Sequence, residues 1–557
     1  MTPTTRYTLV FILLGCIFFM PFLGGVHLFD WDEINFAEAA REMIVLKDYL
    51  RVHINFEPFW EKPPFFFWLQ STAMHLFGIG EYAARFPNAL CGVATLVVLF
   101  RMGAKLHDWK FGVLWAGAYV GSILPHLYFK SGIIDPWFNL FIFLGLYLFI
   151  QFYWKKDGYT SVWLNYNKYL YLVGGGLVLG LAVLTKGPAA YLIVCLTLFV
   201  YWVLQRFRFY VNVFHFLLFT LAMALVTLTW FGLETLKNGP WFINTFITYN
   251  YRLVSTPDAG HGGFPGYHFV VLLIGCFPAS IFCIRGFGRI PQQFMYQRDF
   301  KVWMTILFWV VLILFTIVKS KIVHYSSMCY FPLTYLAALT AYEIIEGRVR
   351  FAPWMRGLLI GIGGLFCFAT IVLPFVAMKI TVLKPLFGKD PFAAANLDAV
   401  VNWTGFEAFA GLWLFAVIGL SLRYIQYNRA ERGFATLFLG TALFVNLTLI
   451  FFIGRIELYS QGAAIRFFES LQPKVQHGEC YVLNYGYRSY AQLFYTRKQP
   501  LPNKNGNDEQ WLLHGDVDRD VYVITKINKT QELEGVPGLQ KLREENGFVF
   551  YKRNAVK

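Results

Sequence analysis

The sequence predicts an all-α polytopic membrane domain of about thirteen transmembrane helices, followed by a small soluble α/β domain. Three observations lead there. The 557 residues are 57% hydrophobic and 19% aromatic but only 15% charged, against about 25% charged in a soluble domain, and the mean hydropathy is +0.49. Apolar stretches long enough to cross a bilayer recur along the chain. Lys and Arg gather in alternate short connections.

The spans fall at roughly 7–25, 84–103, 111–128, 134–153, 169–185, 188–204, 212–232, 267–285, 302–318, 326–345, 357–377, 406–422 and 433–453, each near the length of about 20 apolar residues that a spanning helix needs. The first has no small-residue cleavage site behind it and reads as a retained helix rather than a signal peptide. Six connections carry the basic residues, at 105–110, 155–168, 206–208, 285–301, 348–356 and 423–432. That asymmetry places them in the cytoplasm, so the formal charge of +15 reports topology rather than a nucleic-acid face. Seven of eight cysteines lie in apolar segments, which supports neither a disulfide framework nor a cysteine zinc site. The expected division is 1–453 for the membrane domain and 454–557 for an outer α/β domain with strand-like runs at 479–483, 521–525 and 547–551.

The outer connection 26–83 is the most informative. Residues 34–46 place Phe36, Ala40 and Met43 at helical spacing, with Asn35, Glu38 and Glu42 on other faces, as suits a helix lying in the membrane interface. Asp30 and Glu33 have capping-box spacing, leaving Asp32 in the first turn. Glu61-Lys62-Pro63-Pro64 sets an acid beside a base on a rigid backbone. Asp135 before Pro136 reads either as a helix cap or as a site residue, and Lys186 as a snorkelling lysine. Lys130, His261, Lys319, Lys321, His324 and Tyr325 fall on the same outer face. Polar groups near lipid are expensive, so their convergence from separate segments points to an active site. A divalent metal such as zinc would find ligands in Glu61 with His261 or His324, although no HxH or HExxH spacing supports it.

These motifs resemble a known family. Asp32-Glu33, the run 37–43, Glu61-Lys62-Pro63-Pro64, residues 181–188, Gly260-His261-Gly262-Gly263, and Ser320-Lys321 with Tyr325 and Pro332 are similar to the bacterial aminoarabinose transferases that modify lipid A. Those belong to the superfamily of the protein O-mannosyltransferases. The resemblance implies a GT-C type fold in the bacterial inner membrane with its active site facing the periplasm. It implies an inverting transfer from an undecaprenyl-phosphate sugar, without a nucleotide cofactor, to lipid A or to a protein or glycan. Asp32, Asp135 and Glu33 are its expected catalytic carboxylates. Lys62, Lys319, Lys321 and Tyr325 are its expected donor-phosphate contacts, and Glu61 and His261 its metal pair. Asn35-Phe36 stands where those enzymes usually carry Arg-Tyr, which removes a partner for an acidic acceptor. A lipid flippase is the rival of another class; it calls for ionisable groups at the bilayer midplane and repeated halves, and neither is present in the sequence.

Overall fold

A computed structural model describes residues 2–159, 164–256 and 262–556. The chain begins with α1 (Pro3–Phe19) and then leaves the bundle for the outer connection, which holds α2 (Asp32–Leu46), a two-residue hairpin of β1 (His53–Ile54) and β2 (Glu57–Pro58), and α3 (Phe65–Phe77). It re-enters as α4 (Glu81–Leu106), then α5 (Trp109–Val120) and α6 (Ile123–Tyr128), α7 (Asp135–Lys156), α8 (Lys168–Lys186), α9 (Ala189–Leu204) and α10 (Val213–Asn238). A second outer helix, α11 (Trp241–Ser255), precedes α12 (Tyr267–Gly275), α13 (Ala279–Gly286), α14 (Met295–Ile317), a 3-10 turn (Val323–Cys329), α15 (Tyr330–Ile345) and α16 (Pro353–Ala377). After a short α17 (Pro391–Asn396), α18 (Phe409–Gln426) and α19 (Ala430–Thr448) complete the bundle.

Every predicted span coincides with a helix or a pair of helices, but the count of thirteen is not reproduced by length. Among the described residues nine helices are long and apolar enough to cross, or ten if the bent pair α12–α13 is one span. The shortfall has physical causes. α1 and α9 are short, at 17 and 16 residues. The third span breaks at Gly121-Ser122, and the eighth bends by 115° before Ala279. The two breaks meet: Ile123 N–H donates to Phe277 O at 3.2 Å. Backbone groups freed by breaking a helix in lipid need such a partner. Elsewhere the bundle closes on glycine, since a Cβ on Gly103 of α4 would lie 2.7 Å from the Gly112 backbone of α5.

The expected boundary at 453 falls inside helix. α19 runs through a π-helical turn (Leu449–Ile453) into α20 (Gly454–Ser460), and α21 (Gly462–Gln476) follows at once. The sheet beyond it has the order β3 (Cys480–Tyr485), β4 (Asp520–Lys526), β6 (Phe548–Arg553), β5 (Leu539–Glu545), with α22 (Ala491–Tyr495) and α23 (Glu509–His514) between β3 and β4. β3 and β4 are parallel, and the other pairs antiparallel. β5 had no sequence signal: Leu-Gln-Lys-Leu-Arg-Glu-Glu is an exposed, charged edge strand, and charge is how edges are protected from further pairing.

α2 is not the interfacial helix its spacing suggests. From Glu33 to Met43 every residue is buried. Its apolar side packs in a core shared with α3, α21 and the sheet, and its polar side is covered too. Glu38 and Arg41 form a two-point ion pair (both 2.7 Å), Glu42 accepts from the Asn55 and Phe56 N–H groups, and Lys498 beyond α22 donates to Asn55. The sequence cannot distinguish a face turned to water from one roofed by a distant domain.

Candidate active site

The capping box does not form. α2 starts at Asp32 with no side-chain cap. Asp30 instead accepts hydrogen bonds from Ser489 Oγ and, at 3.4 Å, from the Tyr490 N–H. The Glu33 carboxylate is fully engaged. It takes two hydrogen bonds from Arg85 (3.0 and 2.8 Å), one from Gly132 N–H (2.6 Å) and one from Phe29 N–H (3.0 Å). Burial pushes its carboxyl up, but the Arg85 guanidinium and these donors outweigh that and hold it below the usual range. Glu33 thus anchors the loop ahead of α7. Asn88 holds the same loop, donating to Ser131 O and Ile133 O at 2.6 Å each.

That loop delivers Asp135, which opens α7 without capping it. Its buried carboxylate accepts from Lys186 Nζ at 2.6 Å, so neither the cap nor the snorkelling lysine is realised. Lys186 is the last residue of α8, and Gly187 ends the helix at a φ of +108° with its Cβ position closed off by Phe246. The lysine is thus turned inward, where its ammonium also lies 5.5 Å from the Tyr325 ring and 5.8 Å from the Phe138 ring. The 3-10 turn brings in His324. Asn139, one turn along α7 from Asp135, donates to Ser327 Oγ at 2.8 Å, and Ser327 Oγ donates to His324 O at 2.5 Å. His324 Nε2 stands 3.7 Å from Asp32 Oδ2, and the Asp32 carboxylate keeps 36% of its surface open. His324 is within electrostatic reach of both Asp32 and Asp135.

Lys62 completes the group. It lies within electrostatic reach of Asp135 and His324 and sits 5.0 Å from the Tyr249 ring. The Tyr249 hydroxyl in turn donates to Glu61 at 3.4 Å. Lys319 is exposed. Lys321 turns away: its Nζ donates to Phe315 O (3.0 Å), Thr316 O (2.7 Å) and Val318 O (2.6 Å) at the end of α14. An ammonium has three protons, so none is left for a donor phosphate. Lys130 is used the same way at the end of α1, on Phe18 O, Pro21 O and Asn446. For a metal, Glu61 is described but His261 lies outside the described residues. Among the described residues no three His, Cys, Asp or Glu side chains gather to hold an ion, so no metal site is built from them.

The structure therefore unites Asp32, Asp135, Lys62 and Tyr325 with two residues that the sequence undervalued, Lys186 and His324. Lys186 ends an apolar run, which looks the same for a snorkelling side chain as for a site residue, and His324 reads from the sequence only as a metal ligand. Chemically the group offers one accessible carboxylate beside a histidine, a buried carboxylate held against a lysine, and a further lysine on a fixed loop. It suits withdrawal of a proton next to a bound phosphate.

Residues 61–230 match the family described as dolichyl-phosphate-mannose-protein mannosyltransferase. The undecaprenyl phosphate-alpha-4-amino-4-deoxy-L-arabinose arabinosyl transferase of Edwardsiella ictaluri (strain 93-146) is 27% identical over 446 residues, covering 77% of this chain and 75% of that one. The transferase of the same description from Pectobacterium carotovorum subsp. carotovorum (strain PC1) is 23% identical over 432 residues, covering 75% and 74%. Among solved structures, ArnT from Cupriavidus metallidurans bound to undecaprenyl phosphate aligns with a TM-score of 0.72 at 17% identity over 98% of each chain. The chain thus has the GT-C fold throughout, including its C-terminal sheet.

Proposed function

We propose that this aminoarabinose-transferase-like GT-C protein moves a sugar, with inversion, from undecaprenyl phosphate to an acceptor at the periplasmic face of the inner membrane, most similarly to transfer of 4-amino-4-deoxy-L-arabinose to lipid A. The observation that carries this reading is the meeting of Asp32, His324, Asp135 and Lys186 from four separate segments on the face opposite the basic connections. The acceptor oxygen attacks the anomeric carbon, the bond from that carbon to the phosphate oxygen breaks, and the electron pair leaves with the polyprenyl phosphate. Lys62 and Lys186 stabilise the charge that develops on the leaving phosphate, with Tyr325 beside it. A hydroxyl acceptor passes its proton to Asp32, whose carboxylate His324 orients. A lipid A phosphate arrives already anionic and needs only placement. The donor carries its own leaving group, so no nucleotide takes part.

A protein hydroxyl is the second acceptor, favoured by the match of residues 61–230 to protein mannosyltransferases and by the buried Asn35 where the aminoarabinose enzymes carry arginine. Purified protein given undecaprenyl-phosphate sugars with lipid A, a Ser/Thr-rich peptide or water, read by mass spectrometry, decides between them. Loss of a general base costs about 10²–10⁴ in rate. Asp32→Asn is expected to show that loss on a hydroxyl acceptor and a smaller one on a phosphate. No consumption of any donor, together with movement of labelled polyprenyl phosphate across the bilayer, would establish a flippase instead.

A further inference from the structure

On the basic side of the bundle, away from the reaction site, a groove of about 380 Å³ opens between α4, α7 and α8. Val97 and Val98 of α4, Leu144 and Leu148 of α7 and Val178 of α8 form its apolar walls, and Arg101 and Lys105 stand at its mouth. At 1.5 Å per residue, Arg101 lies about 7.5 Å inside the end of α4, and Val178 about 15 Å from the start of α8. The groove therefore runs from the headgroup level of that leaflet to near the bilayer centre, one leaflet of a hydrocarbon core about 30 Å thick.

Two features of this groove are unfavourable if only hydrocarbon fills it. Arg101 and Lys105 are like charges at i and i+4 on one helix face, which repel. Arg101 makes no hydrogen bond or ion pair among the described residues, although a cation at that depth needs an anion or water. The Tyr147 hydroxyl, on the groove wall, is buried and makes no hydrogen bond of good geometry, with Gln151 one turn along its helix.

We propose that the groove binds an anionic glycerophospholipid of the leaflet on the basic face, with one acyl chain along the valine and leucine walls and the headgroup phosphate between Arg101 and Lys105. The anion relieves the repulsion and pairs the Arg101 charge, and an ester carbonyl below the phosphate gives the Tyr147 hydroxyl an acceptor. A zwitterionic lipid fits the walls equally well but carries an ammonium that offsets its phosphate, so charge is what selects the occupant.

Native mass spectrometry of the full chain in detergent, incubated with equal amounts of phosphatidylglycerol and phosphatidylethanolamine of matched chains, tests this. Wild type is expected to retain the anionic lipid preferentially, by about fivefold for each cation engaged. Arg101→Gln with Lys105→Gln is expected to abolish the preference while sugar transfer persists, which shows that the variant folds. Val178→Trp, filling the groove with both cations intact, is expected to lose retained lipid of either kind. The proposal is overturned if wild type shows no preference or if the preference survives the double substitution. It is also overturned if inorganic phosphate alone displaces the lipid, or if polyprenyl phosphate displaces phosphatidylglycerol at equal concentration.

Discussion

Asp32 and Glu33 are neighbours with opposite fates. Glu33 gives all its acceptor capacity to Arg85, Gly132 and Phe29, while Asp32 stays open beside His324. Breaking a buried ion pair from one side costs about 3–5 kcal/mol, because the other charge is left uncompensated. Glu33→Ala is therefore expected to lower the thermal midpoint in detergent sharply, and Glu33→Gln with Arg85→Met to recover much of it. A catalytic Glu33 would instead lose activity with the midpoint unchanged. The pH dependence has a definite sign. The folded value of Glu33 lies below its ordinary 4.5, so its stabilisation is complete above pH 4.5 and drains away as pH falls through the folded value. Glu33→Gln should flatten that acid limb in a series of midpoints. At Asp135 the logic is reversed, since its partner Lys186 lies in the proposed reaction site. Lys186→Met is expected to reduce turnover while donor KM changes less, if Lys186 acts mainly on the leaving phosphate. An unchanged turnover would make the pair purely structural.

The segment just ahead of α2 is gripped by the C-terminal part of the chain. The Tyr495 hydroxyl accepts from Leu28 N–H at 2.7 Å, Gln461 donates to Leu28 O at 2.7 Å, and His27 pairs with Glu457 at 3.1 Å. Ser489 and the Tyr490 N–H then hold Asp30, and the Tyr490 ring meets Trp31 at 4.8 Å. Four of the five residues before Asp32 are thus fixed from 430 or more positions away. Misplacing a reacting group by about 1 Å can cost 10²-fold in rate. Ser489→Ala is expected to lower kcat at unchanged donor affinity and nearly unchanged thermal midpoint, and Ser489→Thr to restore it. An equal fall in every parameter would mean that the domain merely stabilises the loop.

Across the whole molecule, what the sequence made legible was what depends on local pattern. Apolar runs located the helical spans, strand patterns found three of the four strands of the C-terminal sheet, and the motifs named Asp32, Asp135, Lys62 and Tyr325, which the fold brings near one another. What it left hidden depends on long-range partners. Asp30 and Glu33 have the spacing of a cap, yet each finds a partner far along the chain. Lys186 and Lys321 both follow an apolar run, the first expected to snorkel and the second to meet a donor phosphate, but one faces a carboxylate and the other three carbonyls. The burial of α2 on every side could not be read before the roof formed by residues near Lys498 was in place.

The backbone contact between Ile123 and Phe277 has a consequence for biogenesis. The third span is made some 150 residues before the bend that completes it, so while the chain is being synthesised it must wait in the membrane with an amide unsatisfied at its break, a costly state in hydrocarbon. Either water or the insertion machinery attends that break until α12 and α13 arrive. In an otherwise cysteine-free chain carrying Ser122→Cys, a ribosome-arrested product ending before Tyr267 is expected to react with a water-soluble thiol reagent, and the finished protein to be protected. Equal protection in both would mean that the third span settles alone, and that the order of synthesis leaves no mark on assembly.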